Sequence, residues 1–558
     1  MQPVISVKQA REIDALTTSE FNIPSSRLMQ AAADACFNAI SNHFSGELAG
    51  KSVQILCGPG NNGGDGAALA LLLHDAGALV ELLLSGSLEA TKGDARTNFE
   101  LAAQAASDAQ DGLFTIKECK NEEDWKTLMN QGHERFDVVV DALFGTGLKR
   151  PLDGVFRTVV EYLNRLRRSG DRVSSAQPLI VSVDIPSGLN GDVSQLVGPA
   201  VQADLTVTFT APKIANVMTP ACLRNGKLVI ASVGSPDSLL ANADVNLFVV
   251  EERDPHDWLI RTRYAPDSYK NSHGHVLVVA GARGFTGAAV LSGNAAMRSG
   301  AGLVTIATPA SAQTAVAAAV MPEVMTVALA ETDRGAVSDD AADHVRQLAN
   351  KASVIAIGPG LTAADERTRR FVFSVVKERR TPIVIDADGL NCLAKYSDRG
   401  WPADLRGSTD APLILTPHEG EMLRLLGTAD KRALDDRVSA ARQFATKHNL
   451  FLVLKGTRSL IAAPDDRVFI NPTGNAGLGT AGAGDTLTGL IAGFIAQAQA
   501  TLTEDFDPLS ATVAALYVGG LAGDFAARKL GMRTMVASDI REHFSEAIRS
   551  LDPSGENP

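Results

Sequence analysis

The stretch Gly474–Gly489 (GNAGLGTAGAGDTLTG) is polar and glycine-rich, and it delivers Asp485 onto the first turn of an apolar helical segment. Ala481, Gly482, Ala483 and Gly484 are small enough for backbone N–H groups to approach an anion. The positive end of the following helix favours negative charge at the same place. An Asp there is placed to accept the proton of a substrate hydroxyl, which is the geometry of phosphoryl transfer. The plainer alternative is a strand-to-helix turn with Asp485 as its N-cap.

Other strand-end motifs in the second half carry compatible chemistry. LILTPHEGEM (413–422) sets His418 and Glu421 three apart after an apolar run and resembles the Asn-x-x-Glu element of ribokinase-like sugar kinases with His in place of Asn; the resemblance implies that Glu421 orients magnesium-bound water, and His418 suits the substrate. LKGTRS (454–459) supplies Lys455 and hydroxyls near the expected nucleotide. AGARGFTGAA (280–289) and GPGL (358–361) are further glycine loops, and DADGLN (386–391) adds carboxylates to the same edge. The pair His273 and His275 has no third ligand nearby in sequence and is read as non-metal.

The first half has its own set. CGPGNNGGDG (57–66) follows a strand and opens a helix, but two Asn and one Asp replace the apolar spacers of a dinucleotide fingerprint. DALFGTGLKRP (141–151) and VDIPSGLNGD (183–192) end two more strands. Asn62, Asp141, Asp184 and Ser187 thus reach the carboxyl edge together, able to hold a hard monovalent cation or to do acid–base work. Singly, each has a structural explanation in turns and caps.

Positioning all this requires two sheets. Both halves alternate short apolar β-rich runs with helical ones, so the fold class is α/β with largely parallel, doubly wound sheets. At 558 residues the chain exceeds one core, and we expect domains over 1–253 and 254–551 with a disordered tail over 552–558. The stretch 170–178 is expected to be an exposed loop. Five scattered cysteines without a CxxC pair fit a reducing cytoplasm, and no signal peptide or membrane span is expected. A net charge of −12 argues against a nucleic-acid surface, so anionic ligands must be held locally.

GNNGGDG, DALFGTGL and VDIPSGLNGD, with Ala211–Lys213 (APK), resemble the epimerase domain of NAD(P)H-hydrate repair enzymes over most of residues 1–235, a Rossmann-like fold. The resemblance implies that Asn61, Asn62, Gly63, Gly64 and Asp65, with Gly145, Thr146, Gly147, Leu148, Lys149, Arg150 and Pro151, contact the hydrated dinucleotide. It further implies that Asn62, Asp141 and Ser187 bind potassium and that Asp184 contacts substrate and acts catalytically. Asp141 remains the alternative acid–base group. The second-half motifs, in their order, resemble the ADP-dependent, ribokinase-like dehydratase domain over most of residues 265–550. There Ala288, Gly360, His418 and Asp485 would contact the hydrate, while Lys455, Gly456, Thr457, Arg458, Ser459 and Gly484 would bind the adenine nucleotide. The resemblance implies small-molecule partners NADHX, NADPHX and ADP, with magnesium in the dehydratase half; a homo-oligomer is expected. Two rival readings are a small-alcohol kinase in the second half and a non-catalytic dinucleotide-binding module in the first.

Overall fold

The computed structural model describes residues 1–109, 112–131, 136–167, 177–396 and 400–553. It divides into two compact units, Pro3–Val245 and Asn246–Pro558, the latter with Met1–Gln2. The division falls ahead of the expected 253/254 because Leu247–Val249 pairs in parallel with Val468–Ile470 of the second sheet. Asp552, expected in a disordered tail, is instead buried and ion-paired with Arg263. Residues 554–558, and the expected loop from 170 to 176, lie outside the described residues.

The first unit holds a seven-stranded sheet in the spatial order Phe114–Cys119, Leu79–Ser85, Ser52–Cys57, Val138–Ala142, Leu179–Val183, Leu205–Phe209, Lys227–Ala231. Every pairing is parallel. The order reverses between Ser52–Cys57 and Val138–Ala142, and that switch point is where an open α/β sheet leaves a crevice. The strands are near-continuous apolar runs because helices cover both faces. Helix Asn61–Asp75 starts at the crevice and approaches it closely: a Cβ on Gly63 would lie 1.7 Å from the Gly58 carbonyl oxygen.

The second unit holds an eleven-stranded sheet, with His275–Val279 third from one edge, between Leu303–Pro309 and Val354–Ile357. Beyond them run Ile383–Ile385, Leu413–Leu415 and Phe451–Leu454, all parallel, before Leu460–Ala462 and Val468–Ile470 turn antiparallel. The last two strands were not anticipated, because their antiparallel pairing is set by partners that a local pattern does not show.

Helix Ala483–Thr501 is apolar on all sides and buried through most of its length, as expected of a helix between sheet and outer helices. It lies against helix Thr286–Arg298 through small residues. A Cβ on Gly489 would meet the Ser292 carbonyl oxygen at 2.1 Å, and one on Gly493 would meet Ser299 Oγ at 1.8 Å. Trp258 stacks on Phe494 with ring centroids 4.2 Å apart, fixing the far end. Helix Pro508–Leu530 has the length and composition of a membrane span, yet 72% of its apolar window is buried inside the unit.

The backbone contact at Gly63 cannot be relieved by a rotamer change. Gly63→Ala should therefore destabilise the first unit by about 3 kcal/mol or more, measured by chemical denaturation of the full chain. A variant as stable as the parent would show that the helix does not approach Gly58 as described.

Candidate active sites

In the first unit, Asp141 ends its strand fully buried. Its Oδ2 accepts from the Ser187 N–H at 2.8 Å and the Ser182 hydroxyl at 2.9 Å, and its Oδ1 accepts from the Ser187 hydroxyl at 2.6 Å. Burial raises the Asp141 pKa, and these hydrogen bonds oppose the rise. Ser187 Oγ also accepts from the Phe144 N–H at 2.9 Å, so Asp141 knits two strand-end loops together.

Asp184 is placed differently. It has a positive φ of 64°, uncommon for a side-chain-bearing residue and often a mark of a site held in strain. The Lys213 ammonium, buried, donates to its Oδ1 at 2.9 Å and also to Thr208 Oγ1 and the Phe209 carbonyl. The other oxygen, Oδ2, and Asn62 Oδ1 lie 3.2 and 3.1 Å from where a Cβ on Gly145 would be, so Gly145 leaves both facing the crevice. Asn62 Nδ2 is buried with no hydrogen-bond partner among the described residues. Asp65 and Asp14 complete the acidic lining, and burial pushes both carboxyls up, Asp65 far up, with Asp184 adding repulsion.

A cavity of about 420 Å³ is lined by Phe144, Gly145, Gly147, Leu148, Lys149 and Arg150. Most of the expected loop therefore does face a cavity. Gly64, by contrast, packs under Ala95 and Met29, and Pro151 packs on Gly198. Thr146 approaches Gly191.

In the second unit the N-cap position of the catalytic-helix candidate is Gly482, with φ 85°, so Asp485 is not the cap. Its carboxylate accepts no hydrogen bond among the described residues. Its pKa is raised to about 6, first by burial and then by Asp386, against the pull of Lys455. Lys455 Nζ donates to Asp386 Oδ1 at 2.7 Å and lies 3.3 Å from where a Cβ on Gly484 would be. Thr488 Oγ1 donates to Asp386 Oδ2 at 2.7 Å. An anion at the helix N-terminus would thus meet backbone N–H groups and an ammonium together.

His418 caps helix Glu419–Leu425, with Nδ1 accepting from the Gly420 N–H at 3.0 Å and Nε2 3.4 Å from Glu421 Oε1. Glu421 is buried and its pKa is raised by burial, with Lys455 opposing. Gly360, φ 67°, sits against Ala288, which brings those two expected residues together beside the exposed ring of Phe285. Of the nucleotide loop, Lys455 faces the helix start. Gly456 packs on Arg437, Arg458 turns to the Pro472 carbonyl, Ser459 closes on the Gly456 carbonyl, and the Thr457 carbonyl accepts from Arg437. His275 spends its two ring nitrogens on Thr305 Oγ1 and the Lys351 carbonyl.

Several contributors escaped the sequence reading. Lys213 stood only as part of a motif, Asp386 only as one carboxylate of a run, and Asp14, Thr208 and Thr488 gave no signal. All of them act through elements far apart in the chain, and spacing along the sequence is blind to those.

Each unit presents a carboxylate at the carboxyl edge of a parallel sheet, the place where two-domain α/β enzymes carry their sites. Residues 276–546 match the family model described as NAD(P)H-hydrate dehydratase, and residues 25–215 match that of the YjeF-related protein N-terminus. The chain is 38% identical to the bifunctional NAD(P)H-hydrate repair enzyme Nnr of Moorella thermoacetica, over 98% of this chain and 97% of that one. It is 37% identical to the protein of the same name in Thermofilum pendens, over 90% and 88%. Among solved structures, the ADP/ATP-dependent NAD(P)H-hydrate dehydratase of Bacillus subtilis, co-crystallised with ATP and Mg²⁺, aligns over 55% of this chain and 99% of its own, with 28% identity and a TM-score of 0.44. The chain belongs to the family of bifunctional NAD(P)H-hydrate repair enzymes.

A carboxyl whose folded pKa is about 6 against an ordinary 3.8 costs stability when ionised. The folded state binds the proton more tightly than the unfolded chain. The cost is therefore full above about pH 6, shrinks as the pH falls toward 3.8, and vanishes below it. Asp485→Asn should melt higher than the parent at pH 8, with the difference closing by pH 4. An equal or lower melting temperature at pH 8 would contradict the strained, unpartnered carboxylate.

Proposed function

We propose that this chain repairs NADH and NADPH hydrated at carbon 6 of the nicotinamide ring. The first unit interconverts the R and S epimers, and the second dehydrates the S epimer at the expense of ADP, giving AMP and phosphate. The observation that carries the reading is the half-buried Asp485, free of hydrogen bonds, beside an ammonium and a helix N-terminus. Hydroxide is a poor leaving group, so a phosphoryl group is first placed on the ring hydroxyl. Asp485 takes the hydroxyl proton, the N–H groups at Gly482–Gly484 and Lys455 receive the phosphoryl charge, and the C6–O bond then breaks, the oxygen leaving with phosphate while carbon 5 gives up a proton to solvent to form the ring double bond.

Ala288, Gly360 and His418 are assigned to the hydrate. The nucleotide is assigned to Gly484 and the 455–459 loop, with Lys455 at its phosphate end. Magnesium, which keeps most of its own waters and binds through phosphates and one or two carboxylates, fits Glu421 beside Lys455; when bound it supplies charge to the phosphoryl oxygens.

For epimerisation, Asp184 assists loss and return of the ring hydroxyl through a planar cation. Its Oδ2 faces the crevice, whereas both oxygens of Asp141 are taken by Ser182 and Ser187. That difference supports Asp184 over Asp141. Asn62 and Ser187, with the lone pairs that Asp141 keeps beyond its hydrogen bonds to Ser182 and Ser187, offer an all-oxygen donor set that suits potassium, which would organise the crevice.

The activities should separate by mutation. With mixed epimers and ADP, the parent should restore nearly all dihydronicotinamide absorbance. Asp184→Ala should repair the S portion quickly and then slow to the uncatalysed rate of epimer exchange. One fast phase in that variant would remove Asp184 from the epimerisation. A stable phosphorylated product would instead identify the second unit as a kinase.

Asp485→Asn should lose about 10²- to 10⁴-fold in dehydration rate, the usual contribution of a general base. Dehydration of the S epimer at the parental rate would show that another group takes the proton.

A further inference from the structure

Asp386 has no part in the reaction as described so far, yet it is a tightly held carboxylate of the second unit. It is buried at the end of strand Ile383–Ile385, and each oxygen has one partner: Lys455 Nζ at 2.7 Å on Oδ1 and Thr488 Oγ1 at 2.7 Å on Oδ2. Thr488 lies one turn beyond Gly484 on the helix that carries Asp485, and its hydroxyl also contacts the Gly484 carbonyl at 3.1 Å. One carboxylate therefore grips both the cation and the helix that frame the anion site. The backbone around it is fixed too. Ala387 has a φ of 49°, and a Cβ on Gly358 would meet the Asp386 carbonyl oxygen at 1.9 Å, so the strand end cannot retreat from its neighbour.

The consequence concerns what Lys455 would otherwise do. Asp485 is a nearby carboxylate without a hydrogen-bond partner, and Glu421 and Asp388 add negative charge around it. An ammonium not held by Asp386 would move onto the base and occupy it.

Resting on the reading of the second unit as a phosphoryl-transferring dehydratase, we propose that Asp386 is a positioning residue for that transfer: it locks the Lys455 ammonium to the start of the helix, so that the cation meets the transferring phosphoryl group and Asp485 stays open to the substrate hydroxyl. Asp386 touches neither substrate nor nucleotide. It works through Lys455.

The test uses the full chain with the S hydrate and ADP. Asp386→Asn keeps the shape and the acceptor for Thr488 but drops the charge. Its kcat should fall about 10- to 100-fold, as for a misplaced catalytic group. KM for ADP should rise by a smaller factor than kcat falls, because Gly484 and the rest of the 455–459 loop still hold the nucleotide. The acid limb of its pH–kcat profile should move below the parent's, since the charge of Asp386 no longer raises Asp485 and Lys455 now pairs with it, whereas Lys455→Met should move the limb above it, leaving Asp386, Asp388 and Glu421 uncompensated. The double variant should have the kcat of Lys455→Met alone.

An Asp386→Asn protein with parental kcat and acid limb overturns the proposal, as does a double variant whose losses multiply. If Asp386→Asn alone does not fold, the other two variants decide it. Removing both charges of a buried pair is better tolerated than removing one, and a Lys455→Met limb that stays put or falls overturns the proposal by itself. A parent without ADP-dependent turnover sinks the functional reading and this proposal together; a parent that turns over beside an unaltered Asp386→Asn sinks only the proposal.

Discussion

A carboxylate in a half-buried cleft beside other carboxylates stays ionised only if a cation is fixed nearby, and in the second unit that cation is Lys455. Burial and the charge of Asp386 raise Asp485 toward neutrality, while Lys455 pulls the other way, leaving the carboxyl pushed up to about 6, as the proposed base requires. A base with that pKa is ionised at neutral pH and still able to accept a proton. The arrangement depends on the sheet. Ile383–Ile385 and Phe451–Leu454 flank Leu413–Leu415, so Asp386 and Lys455 emerge two strands apart at the same edge. The glycine contacts of helix Ala483–Thr501 then hold Asp485 over them.

The first unit solves a related problem with different parts. Asp184 emerges from its strand in a left-handed conformation, with one oxygen given to the buried Lys213 and the other turned to the crevice. Removing one member of such a buried pair typically costs about 3–5 kcal/mol, because the partner charge is left unpaired. Asp141, on the neighbouring strand, is the opposite case. Its hydrogen bonds are all internal, so it ties the loops at Phe144 and Ser187 together and shapes the crevice.

Much of the fold was legible because buried parallel strands are short apolar runs ending in Gly, Asp or Pro, and such runs bracket the motifs that carry chemistry. The glycine loops and Asp485 were legible for the same reason: their function needs small residues next to a helix start. The antiparallel strands Leu460–Ala462 and Val468–Ile470, the place of Leu247–Val249 in the second sheet, and the docking of Asp552 on Arg263 were not. Each is decided by partners beyond the reach of a local pattern. The site shows the same split. Gly360 and Ala288 were expected at one subsite and do meet, but the ion pairs Lys213–Asp184 and Lys455–Asp386 join residues that no local pattern links.

The central claim is that the ring hydroxyl leaves as phosphate after accepting a phosphoryl group at Asp485, and the fate of its oxygen decides the matter. The S hydrate carrying ¹⁸O in the carbon-6 hydroxyl should be turned over with ADP by the Asp184→Ala chain, whose first unit no longer exchanges that hydroxyl with solvent, and the inorganic phosphate and water analysed by mass spectrometry. The account predicts one ¹⁸O atom in each phosphate released and none in water. Label recovered in water, with unlabelled phosphate, would mean that the hydroxyl is expelled directly and would contradict the phosphoryl-transfer role assigned to the site.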